Sequence, residues 1–219
     1  MADDLAAELV ARSRADIAAS VGPNRFLELL EAGEVPPERL AWLAGEEFRI
    51  VGSDRRSFAL LASRFPEAPA GAFFLGLAQG ENEAFVLLQD FAAALGLSDK
   101  DLIAYEPKPL AQTYPAYLAQ RAAFGASSEV ALAMLANLEE WGAYCGRVAE
   151  ALRGRYGMDE RAVGFFAFFA EAPPGFADQA ADVVAAGLAA GERPEDAALA
   201  ARMLHAYETA FWNALAEGL

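Results

Sequence analysis

Glycine and proline divide this chain into long segments that carry the period of an α-helix, and this pattern constrains the fold more than any other feature. The segments between the breaks are rich in alanine and contain few of the β-branched residues that a sheet requires. The longest segments are joined by short connections, which favours one bundle over two domains. We therefore predict an all-α fold without a sheet, in which residues 1–219 form a single helical domain.

The expected helices begin and end at residues with clear capping or breaking roles. The central YEPKP sequence contains two prolines and is predicted to be a loop. The segment 159–171 is unusually aromatic, and the run GFFAFFAEAPPGF at 164–176 is predicted to be core rather than a cofactor site. The other predicted helices span about residues 3–20, 24–33, 36–64, 70–95, a short stretch from 98, 110–124, 127–156, and two segments on either side of the GERPED sequence.

The charge of the chain excludes two classes of partner. The formal net charge is -15, and no stripe of Lys and Arg is present. Binding to nucleic acid or to an anionic membrane depends on clustered positive charge. The first residues carry acids where a signal peptide needs bases, and no apolar run approaches the roughly 18 residues of a membrane span. We expect a cytoplasmic protein with no nucleic-acid or membrane partner.

The chain contains one cysteine and one histidine, which limits the metal chemistry it can support. Zinc and non-haem iron sites normally use at least two His or Cys ligands, so we expect neither a metal nor a cofactor. Cys145 lies on an apolar helical stripe and is predicted to be a core residue. His205 is predicted to be a hydrogen-bonded histidine at a helix interface.

Several carboxylates occupy helical positions where an apolar side chain is expected. Glu208 shares a stripe with Leu204 and Phe211 near the C-terminus. Burying a carboxylate costs several kcal/mol unless a partner or a proton compensates. A polar pocket inside a helical shell is therefore predicted. The same pattern is found at Glu47, at Glu81 and at the pair Glu139 and Glu140.

Two of these acids have alternative interpretations. Glu46 shares a face with Arg49, which is typical of a solvated surface, so Glu47 is the candidate that points inward. Glu140 either forms a surface pair with Arg147 or is a pocket acid held by the hydroxyl of Tyr144 one turn later.

Glu81 and Asp54 also have two interpretations each. Glu81 is either a pocket group or a structural buried acid. Asp54 follows Glu47 by two turns and either extends the polar strip or pairs with a neighbouring arginine.

Three stretches of the sequence resemble the TENA/THI-4/PQQC family of the haem-oxygenase-like superfamily: PKPLAQTYPAYL, LEEWGAYCGRVAEAL and MLHAYETAFW. The resemblance implies a haem-oxygenase-like helical bundle. It also implies a pocket built from an acid on an early long helix, a tyrosine after the central proline, a cysteine four residues before a second tyrosine, and a C-terminal glutamate. In this chain those positions are Glu47 or Glu46, Tyr114, Glu140 before Tyr144, and Glu208; glutamate stands where the cysteine would be.

A glutamate at that position is found in a branch of the family that acts on amino-pyrimidine products of thiamine breakdown, in thiamine salvage. The resemblance therefore implies a cofactor-independent hydrolase of a small nitrogen heterocycle. The alternative is a non-catalytic member that binds a small ligand or a partner. A homodimer or homotetramer is also implied. The implied catalytic residues are Glu140 and Glu208, and the implied substrate-binding residues are Glu47, Glu81, Tyr114, Tyr144, Phe166 and Trp212.

A di-iron branch of the same superfamily is rejected on its ligand positions. Its histidine and aspartate ligands would fall on Ala172, Phe176 and Gln179. Leu88 stands where another histidine would be expected. Glu81 and Glu140 without imidazoles make a poor iron site.

Overall fold

The computed structural model describes residues 2–219, and over this range it contains ten α-helices and no β-strand. This confirms the predicted all-α bundle. No helix among the described residues combines the length and apolar content needed to cross a bilayer. The helices are α1 (Ala2–Ser20), α2 (Arg25–Ala32), α3 (Pro37–Arg64), α4 (Ala70–Ala94), α5 (Asp99–Ala104), α6 (Thr113–Phe124), α7 (Ser127–Tyr156), α8 (Gly164–Ala170), α9 (Phe176–Ala189) and α10 (Pro194–Ala216).

Capping residues explain several of the helix ends. Asn24 precedes α2, and its side chain accepts a hydrogen bond from the backbone N–H of Leu27 at 3.1 Å. Ser98 and Asp101 form a capping box at the start of α5. Gly157 ends α7 in the left-handed conformation, with φ of 67°, which a residue with a side chain adopts at a cost.

Two predicted helices are shorter in the structure than in the sequence pattern. Helix α6 begins at Thr113 instead of residue 110, because residues 108–112 form turns after the prolines. In the aromatic segment only residues 164–170 are helical. The preceding residues form a turn in which the Asp159 carboxylate accepts from the N–H of Ala162 at 2.9 Å.

Two hydrophobic clusters make up the interior of the bundle. The first includes Phe91 and Trp212, and the second includes Phe58 and Val184. Tyr114 on α6 packs against both clusters. Helices α3, α4, α7 and α10 contribute to both, so they form the frame in which a cavity lies between the clusters.

Candidate functional site

A cavity of about 640 Å³ lies between the central helices. Side chains from α3, α4, α6, α7, α8, α9 and α10 line it, and most of them are apolar or aromatic. A cavity of this size and lining is typical of a small-molecule site. The apolar and aromatic lining includes Phe58, Phe73, Leu77, Met134, Leu138, Trp141, Phe168, Phe169, Pro173, Pro174, Phe176 and Phe211.

Five carboxyl residues line this cavity, and one of them, Glu171, follows α8. We call the other four the carboxyl cluster: Glu47 and Asp54 on α3, Glu81 on α4, and Glu208 on α10. Glu47 is 1% exposed and Asp54 is 3% exposed. Among the described residues, Oε1 of Glu47 and Oδ1 of Asp54 have no hydrogen-bond partner. Buried polar atoms in proteins are almost always paired, so unpaired oxygens beside a cavity indicate a ligand or solvent site.

The carboxyl cluster binds protons far more tightly than free carboxyl groups do. Burial raises the pKa of Asp54 from 3.8 to about 8, although a hydrogen bond from Tyr114 opposes the shift. Burial also raises the pKa values of Glu47, Glu81 and Glu208 well above the ordinary value, and the charges of neighbouring acids add to this effect. Near neutral pH the carboxyl cluster therefore holds protons that it can donate.

Tyr114 lines the cavity beside the carboxyl cluster. Burial raises the pKa of its hydroxyl well above the usual value, and the charges of Asp54, Glu208 and Glu81 raise it further. The phenol consequently stays protonated and acts as a hydrogen-bond donor, which agrees with the bond it makes to Asp54.

Glu140 lies outside the large cavity, in a small cleft of about 30 Å³ that has room for about one water molecule. Glu208 and Trp141 line both spaces, so they separate the cleft from the cavity. Tyr144 and Trp212, which were expected to touch a ligand, also line the cleft. Of the expected site residues, the large cavity therefore brings together Glu47, Glu81, Tyr114 and Glu208.

The Glu140 carboxylate is held by two side chains. The hydroxyl of Tyr144 donates to Oε1 at 2.5 Å, which is the predicted hydrogen bond, and Nδ1 of His205 lies 2.9 Å from Oε2. The alternative pairing with Arg147 is wrong, because Arg147 forms a bidentate bridge to Glu31 at 2.7 and 2.8 Å. His205 is buried and paired at a helix interface, as predicted.

The pKa of Glu140 moves in the opposite direction to that of Glu208. Burial acts to raise the Glu140 pKa, but the contact with the His205 ring and the hydrogen bond from Tyr144 outweigh it, so the pKa lies below the ordinary value. The Glu140 charge in turn contributes to the raised pKa of Glu208. Two adjacent carboxyl groups thus differ in protonation, which is the arrangement that acid–base chemistry uses.

The prediction that Glu46 faces solvent is wrong. Its side chain is fully buried and accepts hydrogen bonds from the Tyr105 hydroxyl at 2.7 Å, from the backbone N–H of Lys108 at 2.6 Å and from the Gln112 amide. The connection between α5 and α6 folds over this face of α3. Gly45 permits this packing, because a Cβ there would lie 2.4 Å from the Tyr105 ring. A glycine beside the two glutamates was the sequence signal for that contact.

The aromatic helix α8 divides its side chains between core and cavity. Phe166 lies in the core, fully buried, with its ring 5.2 Å from that of Phe91, and it lines neither space. Phe168 and Phe169 line the cavity instead. Cys145 is fully buried, as predicted, and burial raises the pKa of its thiol well above the usual value. Between residues 2 and 219, no group of three or more His, Cys, Asp and Glu side chains is arranged to hold a metal ion.

Three cavity residues are not among the predicted site residues. Asp54 was predicted to extend the polar strip or to pair with a neighbouring arginine, and its seven-residue spacing from Glu47 places it on the cavity face of α3. Gly76 and Gly80 on α4 also line the cavity. Their four-residue spacing puts them on one face of the helix, which was the available signal.

Comparisons with known structures agree on the fold. A TenA homologue protein from P. horikoshii has a TM-score of 0.69 and 18% identity, with all of both chains covered. A TenA family transcription regulator from Silicibacter has a TM-score of 0.71 and 16% identity, covering 94% of this chain and 96% of the other. A domain of unknown function with a haem-oxygenase-like fold from Shewanella denitrificans has a TM-score of 0.70 and 16% identity, covering 94% and 88%.

These similarities confirm the predicted haem-oxygenase-like fold. No curated protein sequence matches the chain. The model of the TENA/THI-4/PQQC family matches residues 23–217, which is most of the length. The predicted resemblance is thereby confirmed, and the chain belongs to the TENA/THI-4/PQQC family.

Proposed function

We propose that this protein hydrolyses a carbon–nitrogen bond of a small amino-substituted nitrogen heterocycle, such as an amino-pyrimidine, in the 640 Å³ cavity. The observation that carries the proposal is the carboxyl cluster together with the Tyr114 hydroxyl in one largely apolar cavity. Among the described residues that line it there is no Lys, Arg or His. Such a cavity favours a neutral or cationic nitrogen base over an anion.

The carboxyl cluster offers the hydrogen bonds that such a ring needs. The unpartnered oxygens of Glu47 and Asp54 accept N–H groups from an amino substituent. A protonated carboxyl group donates to a ring nitrogen, and the raised pKa values supply protonated carboxyl groups at neutral pH. The aromatic walls provide stacking area for the ring.

In the proposed reaction, water adds to the ring carbon that bears the amino group. An ionised carboxylate of the carboxyl cluster takes one proton from the water, and a protonated carboxyl delivers one proton to the departing nitrogen. The carbon–oxygen bond forms, the carbon–nitrogen bond breaks, and ammonia leaves. Glu208 is assigned the role of acid, because it lines the cavity and its pKa is raised by burial and by Glu140.

Glu140 is assigned a supporting role in this scheme. It lies behind Glu208 in the small cleft, where Tyr144 and His205 hold it and its pKa is lowered. Its negative charge keeps Glu208 protonated. It is therefore a positioning residue, and direct attack by Glu140 on a ligand in the large cavity is not part of the proposal.

A second candidate is a protein that binds such a heterocycle without converting it. The observation that favours it is the absence of an activated nucleophile from the lining: Glu140 lies in the cleft, and Cys145 is fully buried in the core. Binding without turnover would still use the carboxyl cluster and the aromatic walls.

The test is turnover of an amino-pyrimidine, followed as release of ammonia. The wild type is compared with Glu208→Gln, and Glu139→Gln serves as the control because Glu139 is 78% exposed in its side chain. We expect turnover by the wild type and by Glu139→Gln, and a loss of about 10²- to 10⁴-fold in Glu208→Gln. Equal turnover by all three proteins would remove Glu208 from the mechanism. Binding without turnover by the wild type would favour the second candidate.

A further inference from the structure

Helix α4 presents two glycines to the cavity, Gly76 and Gly80, one turn apart. A Cβ atom at either position would meet nothing within 4 Å. Glycine in a helix interior is less stable than alanine, and no packed neighbour requires it here. The two positions therefore leave space in the cavity wall that ordinary side chains would fill.

This open stretch of wall connects two different environments. Glu81, a member of the carboxyl cluster, follows Phe73 by eight residues, a rise of about 12 Å along α4. At the other end, the ring of Phe73 lies 5.5 Å from that of Phe176. The glycines lie between these ends, so a ligand that touches the acids can extend along α4 to the aromatic pair.

The far end of the cavity opens to solvent. Residues 171–174, which connect α8 to α9, line the cavity and are exposed, as is Gly76. This rim contains Pro173, Pro174 and the acidic side chain of Glu171. Most of the described residues that line the passage from the carboxyl cluster to the mouth are thus apolar, and the charged ones among them are acids.

The volume exceeds what one small ring needs. About 640 Å³ equals the share of roughly twenty water molecules at about 30 Å³ each, and it lies within the range of drug-sized ligand sites. A single amino-substituted ring at the carboxyl cluster leaves the apolar passage unfilled. Covering apolar surface with an apolar group removes both from water, which gives a favourable free energy of binding.

We propose that the natural ligand is an amphiphile whose nitrogen-base head binds the carboxyl cluster and whose uncharged apolar or aromatic substituent lies along α4, with Gly76 and Gly80 setting the size of that substituent. The unpartnered buried oxygens of Glu47 and Asp54 are the atoms aimed at the head. Phosphorylated or carboxylated substituents are excluded by the acidic, cation-free lining. The inference rests on the proposed function in one respect, because both place the nitrogen base of the ligand at the carboxyl cluster.

Calorimetric titration with three probes tests the proposal: 4-aminopyrimidine, 4-amino-5-(3-phenylpropyl)pyrimidine, and the analogue in which a carboxylate replaces the phenyl group. The proteins are the wild type, Gly76→Leu, Gly80→Leu, and the control Gly154→Leu. Gly154 is an exposed helical glycine on α7 that also has nothing within 4 Å of a Cβ and does not line the cavity. If Gly80→Leu does not fold, Gly80→Ala, which adds a single methyl group to the cavity wall, takes its place in the comparison.

The wild type and Gly154→Leu are expected to bind the phenyl probe at least about tenfold more tightly than the unsubstituted ring. Gly76→Leu and Gly80→Leu are expected to lose that preference while binding the unsubstituted ring within about threefold of the wild type. Equal affinity of the wild type for the two neutral probes would overturn the proposal. So would tight binding of the carboxylate probe, or leucine variants that keep the preference.

Failure of this proposal differs from failure of the proposed function. Turnover of amino-pyrimidine without any preference for the phenyl probe would refute only the amphiphile. A preference for the phenyl probe without turnover of any probe would refute only the hydrolase.

Discussion

The carboxyl cluster and two acids outside the cavity, Glu46 and Glu140, are all buried or partly buried, yet their surroundings differ. Glu46 and Glu140 receive hydrogen bonds from the protein, and these bonds hold each carboxylate in place. Glu47 and Asp54 keep an oxygen without a partner among the described residues and face a cavity. Burial alone therefore does not mark a functional acid; an unpaired oxygen beside open space does.

The largest expected effect separates Glu208 from Glu140 in catalysis. If Glu208 is the proton donor and Glu140 only supports it, Glu208→Gln lowers kcat/KM by about 10²- to 10⁴-fold, whereas Glu140→Gln lowers it by about tenfold and moves the alkaline limit of activity to lower pH. The measurement is the pH dependence of kcat/KM for the three proteins. Equal losses in both variants would mean that the two acids act as one site.

Adjacent glutamates on α3 provide a matched test of stability. Glu46→Met leaves the donors of Tyr105, Lys108 and Gln112 without their acceptor, so we expect a loss of about 2–4 kcal/mol in the free energy of unfolding. Glu47→Met removes an acid with an unpartnered oxygen, so the free energy of unfolding should stay constant or rise by about 1–2 kcal/mol. Urea denaturation measures both. Equal destabilisation would contradict the distinction between paired and unpaired acids.

The raised pKa of Asp54 predicts how stability depends on pH. Between pH 3.8 and about 8 the folded protein holds a proton at Asp54 that the unfolded chain has lost. The free energy of unfolding therefore falls as pH rises through this window, by at most about 1.4 kcal/mol per pH unit for such a group. Thermal unfolding from pH 5 to pH 9 should show a falling Tm in the wild type and a flatter profile in Asp54→Asn. Parallel profiles would be evidence against a protonated Asp54.

The smallest expected effect concerns His205. Replacement by phenylalanine removes one of the two contacts that lower the pKa of Glu140, so that pKa should rise. NMR titration of the Glu140 side-chain carbon measures the change. An unchanged titration curve would assign the lowered pKa to Tyr144 alone.

The sequence predicted the helix bounds well where residues near the helix ends determine them. The bounds of α7 follow from Glu129, whose carboxylate accepts from the backbone N–H of Ala126, and from Gly157 after the end of the helix. The inward direction of Glu47, Glu81 and Glu208 also followed from periodicity, because each lies between apolar residues on its own helix.

The features that the sequence did not predict depend on contacts between distant segments. Periodicity placed Glu46 in solvent because it reads only one helix, while the partners of Glu46 come from residues 105–112. In α8 the phenylalanines surround the helix, so no apolar stripe distinguishes Phe166 in the core from Phe168 at the cavity. Nor does sequence spacing reveal that Trp141 and Glu208 divide the cleft of Glu140 from the large cavity.

The proton affinity of the carboxyl cluster has a consequence for any guest that arrives as a cation. Such a ligand pairs with a negative charge only after a carboxyl group has lost its proton, so binding releases protons into the solvent. The heat measured on binding will vary with the ionisation enthalpy of the chosen buffer, and the apparent affinity will climb with alkalinity up to about pH 8. Uptake of a cation by the cavity is thus coupled to loss of a proton from the carboxyl cluster.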